Sequence, residues 1–217
     1  MTPLITAVFL ACMPQTPLQI QQREIHEQGT HYAVDVKYPE IENADAFNAA
    51  VRLAVGSLTE SFKKGGMPEV NAGDGPSDGY LNGSYSAAVL KNGRVSVLID
   101  YSEYTPGAAH PWGVMASINY DSRTCRVLTL ASLFRPGVKY VSRLSQLAIA
   151  YLDQNEFADR GAIRHGAGPI ESNFKIFTLT DTDLVLQFPM YQVAAGAAGE
   201  QTAVIPLEEL APLLRKR

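Results

Sequence analysis

The 217-residue chain has only two cysteines, Cys12 and Cys125, and a single tryptophan, Trp112. So few cysteines exclude a disulfide framework as the main source of stability, and a chain of this length can bury a sizeable core without one. Basic excess is also missing: 18 Lys and Arg stand against 22 Asp and Glu, for a formal net charge of −4. That balance excludes a general nucleic-acid binder, which would need clustered cations to neutralise phosphates. The apolar opening run Leu4 to Ala11 is too short to span a bilayer. What is present, 46% hydrophobic and 18% charged residues, is the composition of a folded domain rather than a disordered one.

The opening run has the length of a signal-peptide core, and it ends in Phe9-Leu10-Ala11-Cys12, which has the form of a lipoprotein cleavage site. No Lys or Arg precedes Arg23, so the charged leader of such a signal is missing; a buried N-terminal strand or helix is the competing reading. Met13-Pro14-Gln15-Thr16-Pro17 cannot be helical and reads as a tether. The expected organisation is a signal peptide over 1–11, a tether over 12–23 and one domain over 24–217, with Cys12 lipidated. Cys125 would then be a lone thiol.

Alternation in Tyr32, Val34, Val36 and Tyr38 predicts a strand from Glu24 to Tyr38, halted by Pro39. Asn43 stands where a helix cap would, before apolar residues at helical spacing from Phe47 to Phe62, with Lys63-Lys64-Gly65-Gly66 as the stop. Met67 to Gly79 reads as a loop. Asn92-Gly93 between two apolar runs predicts a two-residue hairpin turn, with Val95, Val97, Ile99 and Tyr101 on one face of the second strand. Further strands are expected over Val114–Tyr120 and Val127–Leu130, and a second helix from Val138 to Phe157. A glycine-rich connection, strands around Thr178, over Leu184–Phe188 and over Thr202–Ile205, and a short terminal helix complete the chain. Strands come in hairpins, so the fold class is α+β, a largely antiparallel sheet with two main amphipathic helices in a single domain.

Gly75-Pro76-Ser77-Asp78-Gly79 matches the G-x-S-x-G pattern of esterases, but a helix precedes it and a strand follows. A nucleophile elbow needs the reverse order. Glu69, Asp74 and Asp78 do not follow the calcium-loop spacing. His26 and His31 are expected on opposite faces of one strand, and the glycines around His165 lack a phosphate-loop ending. No catalytic set, metal or cofactor is expected. The segment Tyr101 to Trp112 gathers two tyrosines, a carboxylate, a histidine and the tryptophan around turn residues. Tyr101, Glu103, Tyr104, His110 and Trp112 are therefore the candidate partner-binding residues; the opposing reading has Tyr101 and Trp112 as core and His110 satisfying the loop backbone.

Tyr104-Thr105-Pro106-Gly107-Ala108-Ala109-His110-Pro111, Asn119-Tyr120-Asp121 and Leu128-Thr129-Leu130-Ala131-Ser132-Leu133-Phe134 resemble the signature of an envelope domain. That domain occurs in RsiV-type anti-sigma factors, in the extra region of a peptidoglycan deacetylase and in uncharacterised bacterial lipoproteins. Asn173-Phe174, Leu184–Phe188, Tyr191–Ala194 and Val204–Leu210 continue the resemblance, which covers roughly Glu24 to Leu214. Ala109, Cys125 and Ala195-Gly196 depart from the pattern. The resemblance implies recognition rather than catalysis, with lysozyme as the partner of the anti-sigma ectodomain. The expectation is a lipid-anchored envelope protein on the periplasmic side, in the outer membrane of a Gram-negative cell. It would bind a lysozyme-like muramidase or another cell-wall-associated partner such as a peptidoglycan fragment, as an inhibitor or immunity protein. The alternatives are a hydrolase using Ser77 and His110, and a structural lipoprotein that binds glycan. The stretch Glu69 to Glu103 is acid-rich, whereas Arg123 to Arg143 holds five basic residues and no acid, a solvated face or one turned to anionic lipid or polymer.

Overall fold

A computed structural model describes residues 18–65, 78–154 and 159–216. Cys12, the rest of the tether through Pro17, Glu69, Asp74, the loop through Ser77 and the expected helix end at Phe157 lie outside them.

The first predicted strand is two strands. β1 (Ile20–Gln28) and β2 (Tyr32–Ile41) form an antiparallel hairpin. The stretch before the alternation, Glu24 to His31, is polar but for Ile25 and a single glycine, so nothing in it marked the turn at Gly29, and the sequence read the two as one. Pro39 does not stop β2. It pairs opposite Gln22 of β1, while the parallel ladder on the other side of β2 ends at Val36, so no partner needs an N–H from position 39.

Helix α1 (Asp45–Lys64) follows and buries Phe47, Val51, Val55 and Phe62 at the predicted spacing. Asn43 is not its cap. It adopts φ +54 in the turn before the helix, and Ala44 holds the cap position with no side-chain bond. Asn48 does the local stitching, accepting from the Ile41 amide at 2.9 Å and donating to the Ile41 carbonyl at 2.7 Å.

The chain then returns as β3 (Gly79–Val89), which pairs parallel to β2. β4 (Arg94–Tyr104), β5 (Trp112–Asp121) and β6 (Arg126–Leu128) extend the sheet antiparallel. The β3–β4 connection is a four-residue turn rather than a two-residue one: Leu90 accepts from Gly93 and donates to Arg94, and only Gly93 takes positive φ, at +78. On β4 Val95, Val97, Ile99 and Tyr101 are buried beneath α1, as the period of two requires.

The second half folds around its own core. Helices α2 (Tyr140–Leu152) and α3 (Arg160–Gly166) pack with a three-stranded antiparallel sheet, β7 (Phe177–Leu179), β8 (Asp183–Phe188) and β9 (Gln201–Pro206), closed by α4 (Leu207–Leu210). The region around His165 was expected to be a loop. It is α3, started by Asp159, whose carboxylate accepts from the amides of Gly161 and Ala162 at 2.9 and 3.0 Å. The α+β class holds, with the β2–β3 pair the one parallel ladder among the described residues.

Side chains join the two sheets. β7 is an edge strand, and its free backbone groups are met by β4 and β5: Phe177 N–H donates to Ser117 Oγ at 2.9 Å, Leu179 N–H to Ser96 Oγ at 2.8 Å, and Asn119 Nδ2 donates to the Phe177 carbonyl at 2.8 Å. Ser96 closes the set by donating to Asn119 Oδ1 at 2.6 Å. An edge that would otherwise recruit another chain is thereby satisfied internally.

Candidate functional site

The β7 contacts cover only part of the face of the large sheet that lies away from α1. Beyond them the face is open. Strand register places His26, Asp35, Asn82, Ser102 and Gly113 in one row across five strands, about 19 Å wide at ~4.8 Å per strand. One row along lie Ser84, Asp100 and Met115; on the other side lie Gln28, Ala33, Tyr80 and Tyr104. The surface is polar and shallow, with aromatic rings at its end.

The candidate residues divide. Tyr104 stacks on Tyr80, ring centroids 5.6 Å apart and 25° from parallel. Trp112, 44% exposed, stacks on Tyr191, which is 51% exposed, at 5.2 Å and 16°. His110 is exposed in the β4–β5 loop, its Nδ1 2.8 Å from the Pro111 carbonyl oxygen. Glu103 is half-buried opposite Trp112, and burial raises its carboxyl above the ordinary range.

Tyr101 is not a contact residue. It is 1% exposed beneath α1, and its hydroxyl donates to the Lys37 carbonyl at 3.0 Å. Burial first, and then the neighbouring Tyr38, push its phenol up. Its place on the same strand face as Val95, Val97 and Ile99 made it core rather than surface.

Tyr191 carries the site's second half, and sequence reasoning passed over it. Its backbone is at φ +69, and its ring lies between Trp112 and the backbone of Gly196. A Cβ on Gly196 would stand 2.1 Å from Tyr191 Cζ. The Ala195-Gly196 departure from the envelope-domain pattern is therefore what makes room for this ring. Glu200 also went unread. A Cβ on Gly113 would meet its Oε1 at 2.3 Å, so the carboxylate lies directly on bare backbone, on the open face beside Ser102.

Two carboxyls here are shifted. Burial raises Asp100, although much of its surface is exposed. Burial and then the charge of Asp100 raise Glu200. For Glu200, a folded value above the unfolded one means the proton is held better in the folded chain. That contribution to stability is full below the unfolded value and is lost as pH rises through the folded one. Glu200→Gln, neutral throughout, is therefore expected to melt above the parent at pH 7, with the gap closing as pH falls to about 4. Melting curves across that range check it; a gap independent of pH would contradict the assignment.

The two later signature motifs, Asn119–Asp121 and Leu128–Phe134, prove structural. Asn119 joins the sheets, Tyr120 packs on Phe47 at 5.7 Å, and Asp121 pairs with Arg94 and Arg123 at 3.6 and 3.4 Å. Leu128, Leu130, Leu133 and Phe134 belong to the second core. His26 and His31 face different acids, Asp35 at 4.0 Å and Asp78 at 3.9 Å. Among the described residues no three metal-ligating side chains cluster, and no helix is long and apolar enough to cross a membrane. Cys125 is not the lone thiol expected: it is disulfide-bonded.

Comparison with known proteins follows the same division. Over 192 residues the chain is 28% identical to the peptidoglycan-N-acetylmuramic acid deacetylase PdaC of Bacillus subtilis, covering 87% of this chain and 40% of that enzyme. The chain thus spans well under half of the curated relative it matches. Two crystal structures of DUF3298 family proteins share the fold. One, from Bacteroides fragilis, is 16% identical with a TM-score of 0.62 and covers 92% of this chain and 94% of that one. The other, from Pseudomonas aeruginosa, is 17% identical with a TM-score of 0.60 and covers 92% and 95%. Residues 131–208, the second core with Tyr191, Gly196 and Glu200, match the family described as "Protein of unknown function (DUF3298)".

Proposed function

We propose that the chain is a binding protein of the cell envelope, and that the edge of its large sheet at the start of β5, where the open face meets the aromatic stack, recognises a cell-wall-associated partner, a basic muramidase of the lysozyme type first among them. The observation that carries this reading is the exposed Trp112–Tyr191 stack at the start of β5, next to Gly113, on which the carboxylate of Glu200 lies, with Asp100 near enough for its charge to raise Glu200. Exposed stacked aromatics provide rigid contact area, and ionised acids around them speed encounter with a basic protein more than they set affinity. Similarity to a peptidoglycan deacetylase supports a cell-wall setting; the deacetylation is that enzyme's and is not carried over. The hydrolase alternative rests on Ser77, outside the described residues.

Titration of the purified chain with several lysozyme-type muramidases tests the proposal. Binding tighter than about 0.1 mM is expected, weakened about thirtyfold by Trp112→Ala or Tyr191→Ala and falling as salt rises. No binding at that concentration would remove the muramidase. The row of Asn82 and Ser102 beside the aromatics favours a second partner, a peptidoglycan fragment, since sugar hydroxyls pair with such groups and sugar rings stack on aromatic faces. Soluble muropeptides form the second arm, and binding lost in the same variants would assign the face to glycan.

Anchoring by a lipid on Cys12, on the periplasmic side of the envelope, is the other part of this reading, and Cys125 sets its test. The chain has no third cysteine, and one sulfur cannot carry a thioether and a disulfide at once. A lipidated chain should incorporate labelled palmitate, lose it in Cys12→Ser, and titrate one free thiol. No label and no free thiol would overturn the anchor.

A further inference from the structure

At the end of β5 away from Trp112 lies a cavity of about 360 Å³, between the 121–124 turn, β6, the end of β7, α4 and the C-terminal segment. Its lining combines apolar side chains, Val127, Leu128, Leu133, Leu179, Leu207 and Leu214, with cationic ones, Arg94, Arg123, Arg126, Arg215 and Lys216. Among the described residues Asp121 is the sole carboxylate lining it. That carboxylate is already engaged by Arg94 and Arg123 at 3.6 and 3.4 Å. Burial pushes it up, but the hydrogen bonds and charge of Arg123, with Arg94 behind, outweigh burial and hold it low.

The remaining three cations have no such counter-charge. Among the described residues Arg126, Arg215 and Lys216 form no ion pair; Arg215 spends its Nε on the Phe134 carbonyl at 2.9 Å. They are exposed, so each pays little to stay charged. Farther along the basic stretch noted in the sequence, Arg143 pairs with Glu209 at 2.6 Å and Arg135 donates to the Pro212 carbonyl. Three cations without a carboxylate partner among the described residues thus meet at one cavity, on a chain whose net charge is −4.

We infer that this cavity binds an amphipathic phosphate, a phosphate group carried on an apolar chain. Neither half of the lining is explained by one chemistry alone. Arginine forks pair phosphate oxygens bidentately, and the six aliphatic side chains of the same lining offer apolar burial to whatever the phosphate carries. The volume is that of a small-ligand site. The inference does not depend on the open face, from which β5 separates it.

Calorimetric titration of the whole chain with octyl phosphate, below its micelle concentration, tests it against inorganic phosphate and neutral octyl glucoside. Octyl phosphate should bind saturably and at least about tenfold tighter than either control, with both halves of the site contributing. Arg126→Ala with Arg215→Ala should weaken it about tenfold or more, and Arg126→Lys with Arg215→Lys should recover part of the loss; melting temperature reports that each variant folds. Flotation with phosphatidylcholine vesicles with and without phosphatidic acid separates the sources. Acid-dependent flotation lost in the alanine variant makes the ligand a lipid headgroup; octyl phosphate binding without flotation makes it a soluble phosphate ester. Octyl phosphate binding no tighter than octyl glucoside, or unchanged in the alanine variant, overturns the site.

Discussion

Asn119→Ala is expected to cost about 3 kcal/mol of stability and to lower the melting temperature by about 10 °C. Asn119 is 1% exposed and serves two partners on different sheets, accepting from Ser96 and donating to the Phe177 carbonyl at 2.6 and 2.8 Å. Alanine leaves the carbonyl and the hydroxyl without those bonds in a place that water does not readily reach, and an unmet buried group costs more than a made bond contributes. Asn119→Asp separates the two halves. It keeps an oxygen for Ser96 but has no N–H for Phe177, and it buries a charge, so it should be no more stable than alanine. Thermal denaturation of both variants decides it. A shift below about 2 °C for alanine would mean that the sheets are held together by apolar contact alone.

Gly166→Ala carries a second large effect, and of the opposite sign to helix propensity. Alanine favours a helix over glycine by about 1 kcal/mol, and Gly166 closes α3. Yet a Cβ there would stand 1.8 Å from the Gln192 carbonyl oxygen and 2.6 Å from its carbon. Backbone cannot step aside as a side-chain tip can, so the 189–193 turn must move, and with it the bonds from Gln192 Nε2 to the carbonyls of Gly166 and Asn173 at 2.8 and 2.9 Å. A loss of about 3 kcal/mol is expected. The same turn carries Tyr191, so the stack on Trp112 should open. Trp112 is the only tryptophan, which makes its fluorescence a direct reading of that contact. Gly166→Ala should change both the emission and the melting temperature, whereas Tyr191→Ala should change the emission with little loss of stability. A Gly166→Ala protein as stable as the parent would show that the turn is not pinned at that point.

Local pattern made much of the fold readable. The apolar spacing of Phe47, Val51, Val55 and Phe62 marked α1, and alternation marked the buried face of β4. Failures came where the local signal was shared between outcomes. Glycines around His165 resemble a loop in composition, though Asp159 before them is a helix cap whose side chain meets two amides. The turn at Gly29 lies in a polar stretch ahead of the alternation that begins at Tyr32, and a lone glycine there did not stand out as a break. Trp112 and Tyr104 stood out as aromatics near turns and do reach the surface, while Tyr101, in the same segment, follows the buried face of its strand.

The sequence by itself determined which face of each main element is apolar, and hence the α+β class, because side-chain direction in a strand or helix is set by position along that element alone. Only the tertiary structure decided that β3 returns parallel beside β2, that Asn119 ties one sheet to the other, and that Tyr191, Gly196 and Glu200 arrive at Trp112 and Gly113. It likewise drew Arg94, Arg123, Arg126, Arg215 and Lys216 around one cavity. Such meetings depend on contacts between segments far apart in the chain, which no local period encodes; they form because packing the two cores leaves few other places for those segments to go.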